Sequence, residues 1–92
     1  SNKIERLPDS IGQLKNLKTL SLGNNKIEKL PDSIGKLKNL EEISLPENKI
    51  ERVPDSIGQL KNLKRLNLHH NNLSSDEKEK IKRLLPNTKI SF

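Results

Sequence analysis

Three stretches of this chain read almost identically: LPDSIGQLKNL from Leu7 to Leu17, LPDSIGKLKNL from Leu30 to Leu40, and VPDSIGQLKNL from Val53 to Leu63. Their spacing is 23 residues. A fixed period in the twenties marks a solenoid, in which each repeat is one turn of a coil and packs on its neighbours. Chemistry in such a molecule belongs on an extended surface rather than in a deep pocket.

The register continues between those stretches. KTLSLGNNKIEK, EEISLPENKIER and KRLNLHHNNLSS align, with Leu17, Leu40 and Leu63 in one column, Leu20, Ile43 and Leu66 in a second, and Leu22, Leu45 and Leu68 in a third. Asn25, Asn48 and Asn71 form a fourth, and Asn2 lies one period earlier. The pattern LxxLxLxxNxI/L resembles the leucine-rich repeat family over all but the C-terminal segment. The LPxSIGxL half resembles the short repeats of bacterial members and of Ras-type intracellular scaffolds. The resemblance implies an α/β fold: a right-handed solenoid with a parallel sheet on its concave side and short helical or 3-10 turns on its convex side.

The residues support that fold independently. In TLSLG the apolar residues alternate, which is the strand period, so Leu20 and Leu22 are expected inside and Thr19 and Ser21 outside. Parallel strands need crossovers, and PDSIGQLKN supplies one. Pro8 suits the first position of a short helix. Gly12 suits a left-handed residue that ends it, and Ile11 and Leu14 are expected to share its inward face. Asn25, Asn48 and Asn71 interrupt an apolar lining. An amide both donates and accepts, so stacked asparagines are expected to satisfy backbone groups turned into the coil, a structural ladder.

The 92 residues divide into a partial repeat (1–6), repeats at 7–29, 30–52 and 53–75, and a C-terminal cap at 74–92, all read as one domain. Apolar residues make up 29% of the chain and sit almost entirely in the repeat columns. The cap reads as a helix, with Ser74 and Glu77 at capping-box spacing and Ile81, Leu84 and Leu85 on one stripe, ended by Pro86. KISF then forms a last strand with Ile90 and Phe92 on one face. At the other end SNKIER matches the close of a repeat whose strand is missing. The first strand is therefore expected to carry an unpaired edge. Three readings stand open there: a piece of a longer solenoid, an engineered array without a ligand of its own, or an end that pairs two copies into a homodimer.

Composition narrows function. The chain has no cysteine, which removes disulfides, thiolate metal sites and a cysteine nucleophile and fits either a reducing, cytoplasmic setting or an engineered chain. No apolar run reaches membrane-spanning length. Net charge is +6, of which +1 lies in residues 1–59 and +5 in residues 60–92. The C-terminal excess reads first as a solvated helix face. Nucleic acid is disfavoured, because no stacking aromatics accompany it. Ser10, Ser33 and Ser56, like Asp9, Asp32 and Asp55, recur with the crossover, so no catalytic set stands out and the chain is expected not to be an enzyme. No cofactor is implied. His69 and His70 are adjacent, their rings are expected to diverge, and no third ligand stands at metal spacing, although Glu47 lies one repeat from His70, so no metal site is assigned.

Repeats 7–29 and 30–52 differ at seven positions. Four of these, Lys18/Glu41, Thr19/Glu42, Gly23/Pro46 and Asn24/Glu47, flank the strand on its outward side. The framework is held while this strip varies, as on a recognition surface. Family resemblance implies that a protein ligand binds the concave sheet. Carried onto this chain, that names Thr19, Ser21, Glu42, Ser44, Arg65, Asn67 and His69, with Glu42 and Arg65 expected to pair across strands.

Overall fold

The computed structural model describes residues 3–92, so Asn2 lies outside the described residues. Four short strands, β1 (Thr19–Ser21), β2 (Glu42–Ser44), β3 (Arg65–Asn67) and β4 (Lys89–Ser91), form one parallel sheet in sequence order. Their register repeats the sequence period: Leu20 pairs with Ile43 and Ile43 with Leu66, and Leu66 then pairs with Ile90 of the terminal strand. Three 3-10 turns, Asp9–Gln13, Asp32–Lys36 and Asp55–Gln59, stack on the opposite side of the coil. Among the described residues there is one α-helix, α1 (Ser75–Leu84), which packs on the third 3-10 turn. The expected solenoid is the observed one.

The core is a thin column between sheet and turns. Ile27, Ile34, Leu37, Leu40, Ile43, Leu45, Ile50 and Ile57 have no measurable exposure, and each is covered on both sides, Ile57 by the preceding turn and by α1. Leu14, expected inside with Ile11, is instead 53% exposed, whereas its counterparts Leu37 and Leu60 are buried. The difference is positional. Leu37 is roofed by the turns of both neighbouring repeats, and Leu14 has such a neighbour on one side only among the described residues.

Polar side chains tie successive turns at three heights. The amide of Asn48 donates to the carbonyl of Leu22 one repeat back (2.9 Å) and to Leu45 and Pro46 in its own turn, while its oxygen accepts from the N–H of Ile27 (3.2 Å). Asn71 does the same with Leu45, Leu68, His69 and Ile50. Asn25 accepts from Ile4 and donates to Leu22 and Gly23. A second amide series runs through Asn39 and Asn62, which donate to Lys15 and Lys38. A hydroxyl series runs through Ser33 and Ser56, which donate to Asp9 and Asp32 at 2.7 Å. The repetition of serine and of the second asparagine in the sequence thus has a cause: each bonds the backbone one turn away.

Two local expectations are corrected. Pro8, Pro31 and Pro54 precede the 3-10 turns as extended cap residues rather than occupying their first helical position. Their carbonyls accept from Ile11, Ile34 and Ile57, so the ring's fixed φ sets up the entry to the turn. Gly12 is not left-handed; no described glycine has positive φ. Its role is close approach. A Cβ on Gly12 would lie 2.9 Å from Ser33 Cβ, and one on Gly35 would lie 2.6 Å from the carbonyl oxygen of Ser56. The left-handed positions are Asn24, Glu47 and His70, one column of the repeat just past the strand.

The cap substitutes for a further turn. Ser74 accepts from the N–H of Glu77 (3.1 Å), but the reciprocal half of the capping box is absent. The Glu77 carboxylate instead accepts from the N–H of Val53 (2.8 Å), and Lys80 donates to the carbonyl of Val53 (2.7 Å). Lys80 also contacts Glu77 (2.8 Å) and Asp55 (3.4 Å). One carboxylate and one ammonium, three residues apart on α1, thereby satisfy both backbone groups of Val53. Burial opposes the charge on each. For Glu77, the Lys80 hydrogen bond, the Val53 N–H and the charges of Lys80 and Arg52 outweigh it and lower the pKa; for Lys80, the bonds to Glu77 and Asp55 raise it.

Three outcomes follow. Asn48→Ala leaves backbone groups unpaired on both sides of the central repeat and lowers stability by about 1–3 kcal/mol in denaturant unfolding, more than Asn25→Ala. Gly35→Ala costs about 1–3 kcal/mol, because backbone and not a mobile side chain meets the new methyl. Because the folded pKa of Glu77 is depressed, its contribution is present above the ordinary glutamate value of 4.5 and is lost as pH falls through the folded value. The Tm difference between the native chain and Glu77→Gln is therefore constant near neutrality and shrinks in acid; a gap that persists there contradicts this role.

Candidate functional site

The sheet's outward face is built from two rows of side chains, because alternate strand residues point the same way. The first row is Thr19, Glu42, Arg65 and Lys89; the second is Ser21, Ser44, Asn67 and Ser91. Strand spacing places neighbours in a row about 4.8 Å apart. The residues named from sequence on β1 to β3 therefore share one face. Thr19, Ser21 and Arg65 are exposed, and Glu42, Ser44 and Asn67 are half-buried. His69 lies beyond β3 and is exposed, at the rim rather than on the sheet.

Over the later strands the face sinks into a depression of about 240 Å³, lined by Glu42, Ser44, Arg65, Asn67, Lys89 and Ser91 with Ile43 and Leu66 in the strands beneath. Lys89 and Ser91 were not among the residues legible as site positions. They come from β4, which continues the rows without continuing the repeat. The available signal was the alternation in Lys89-Ile90-Ser91-Phe92, which puts Lys89 and Ser91 outward once Ile90 and Phe92 face the core.

Charge on the face is ordered along the stack. The Glu42 Oε2 lies 3.7 Å from Arg65 Nη1, in the register expected of a cross-strand pair, and Glu41 Oε1 lies 3.9 Å from Lys64 Nζ. At this exposure each pair stabilises the fold by less than about 1 kcal/mol. Among the described residues no carboxylate lies within ion-pair distance of Lys89. The Asn67 oxygen accepts from the N–H of His69 (3.0 Å), which fixes that amide and leaves its NH2 group directed to other acceptors.

The rim past the strands carries the left-handed column. Glu47 (φ 59°) and His70 (φ 59°) face each other, with Oε1 and Nε2 3.9 Å apart. The expectation that the His69 and His70 rings diverge is corrected. β3 ends at Asn67, so strand alternation no longer applies, and the rings sit 6.2 Å apart, tilted by 40°. Among the described residues no three side chains converge as a metal site.

A protein-family model described as a leucine-rich repeat region matches residues 1–88. Among solved structures, a leucine-rich repeat protein of Leptospira interrogans is similar at 52% identity with a TM-score of 0.97, over 99% of this chain. The chain spans only 23% of that protein's length. Among curated proteins, none matches. Repeat pattern, stacked register, asparagine ladder and family model agree, and the chain belongs to the leucine-rich repeat family.

Proposed function

We propose that the chain is a non-catalytic module that binds a protein through the outward face of its sheet, with Thr19, Ser21, Glu42, Ser44, Arg65, Asn67 and His69 as contact residues. Leucine-rich repeat folds generally mediate protein–protein interaction. The observation that carries the reading for this chain is the depression across β2 to β4, because it lies where the repeats differ from one another. The buried columns stay apolar and the crossover phrase varies only at Leu7/Leu30/Val53 and Gln13/Lys36/Gln59, while Thr19/Glu42/Arg65 on the face and Lys18/Glu41/Lys64 on its flank change charge from turn to turn. Its polar, aromatic-free lining fits a partner held by hydrogen bonds and charge, which set specificity and association rate more than raw affinity.

The test compares one convex and two concave charge reversals. A partner captured on the native chain and then purified is titrated calorimetrically against Glu42→Lys, Arg65→Glu and, on the convex turn, Lys36→Glu. Either concave reversal weakens binding by about tenfold or more, with the circular dichroism spectrum and Tm unchanged to within a few degrees. The convex reversal leaves affinity within about twofold. Equal loss from Lys36→Glu, or none from the concave pair, moves the binding surface elsewhere.

A further inference from the structure

The two ends of the sheet face differ in what they offer a ligand. Over β1 and β2 the first row carries Thr19 and Glu42 and its flank Lys18 and Glu41, so carboxylates gather at β2 with one cation beside β1. Over β3 and β4 every side chain facing outward is a donor in waiting. Arg65 and Lys89 are register partners, and so are Asn67 and Ser91. The four form a two-by-two patch at the deeper end of the depression. Arg65 presents a planar fork of N–H groups, Lys89 an ammonium and Ser91 a hydroxyl. Asn67 adds its NH2 group, because its oxygen is already held by the His69 N–H.

We propose that this patch is a subsite for a carboxylate side chain, an aspartate or glutamate on the protein partner; the inference rests on the sheet face being the binding surface. Charge arithmetic sets the ligand. Arg65 and Lys89 supply two positive charges and Glu42, 3.7 Å from Arg65, removes one. The net of +1 matches a single monoanion. A phosphate dianion would be under-neutralised there, and the successive charges of a nucleic acid would run into Glu41, Glu42 and Glu47 along the same face. The spacing also fits. Side chains on adjacent parallel strands stand about 4.8 Å apart, so one carboxylate between them reaches the guanidinium with one oxygen and the ammonium with the other. The patch is open to water, so its attraction is screened by salt.

The probe is acetyl-(Glu-Ser)3-amide, with acetyl-(Gln-Ser)3-amide and a peptide of the same length bearing phosphoserine in place of glutamate as comparisons. Each is titrated at low ionic strength into uniformly ¹⁵N-labelled chain. Saturable amide shifts centred on Asn67, Lys89 and Ser91 are expected with the glutamate peptide and not with the glutamine peptide. Lys89→Gln, whose side chain is exposed and outside the core, weakens the glutamate peptide at least about fivefold, and Lys61→Gln on the convex side, the same charge change, less than about twofold. Tighter binding of the phosphopeptide at the same residues overturns the carboxylate assignment. Shifts centred on Lys78 and Lys82 of α1, equal loss in Lys61→Gln, or no shift with any peptide overturn the subsite itself. None of these outcomes touches the broader reading of the face, which stands or falls on the Arg65 and Glu42 reversals against the captured partner.

Discussion

Everything in this coil depends on satisfying the backbone groups that each turn points inward. A strand three residues long leaves its sheet almost at once, and the bend that follows carries N–H and C=O groups into an apolar column with no water to meet them. The side-chain amides of Asn25, Asn48 and Asn71 meet them, and they do so across repeats as well as within them. That cross-repeat bond makes each turn's stability contingent on its neighbour. With only 29% apolar residues, the chain has little hydrophobic driving force to spare for an unpaired buried group.

The same constraint explains the cap. After Val53 the repeat has no fourth turn to supply backbone partners, and α1 supplies side chains instead. Glu77 and Lys80 offer one acceptor and one donor at a helical spacing that matches the two groups of a single residue. Their mutual contact outweighs the burial that opposes the charge on each. β4 completes the arrangement by giving β3 a hydrogen-bonded neighbour. The cap therefore ends the core and at the same time extends the outward face by one strand, which is why Lys89 and Ser91 join a surface otherwise written in repeats.

Conformational strain is distributed unevenly. Gly12 and Gly35 serve close approach between turns, Gly23 lies beside Pro46 and Gly58 against Leu84 of α1, and none relieves a left-handed backbone. The left-handed positions are held by asparagine, glutamate and histidine, the last two at a cost of about 1 kcal/mol each relative to a residue that adopts this region freely. These side chains stand along the rim of the sheet face. Glycine would be the easier choice there on backbone grounds alone.

The sequence by itself determined the period, the inward columns, the parallel order of the strands and the outward placement of Thr19, Ser21, Glu42, Ser44, Arg65 and Asn67. All of these follow from alternation and a fixed 23-residue spacing, which are local and repeat without error. The Glu42–Arg65 pairing was legible for the same reason, since residues 23 apart become register partners. What only the tertiary structure decided involves contacts that no period encodes. The exposure of Leu14 depends on what stacks above it, the need for Gly35 on how near Ser56 comes, and the partner of Glu77 on where the helix lands against Val53. Lys89 and Ser91 belong to this second class: they enter the site through a strand that departs from the repeat, and only its pairing with β3 sets them beside Arg65 and Asn67.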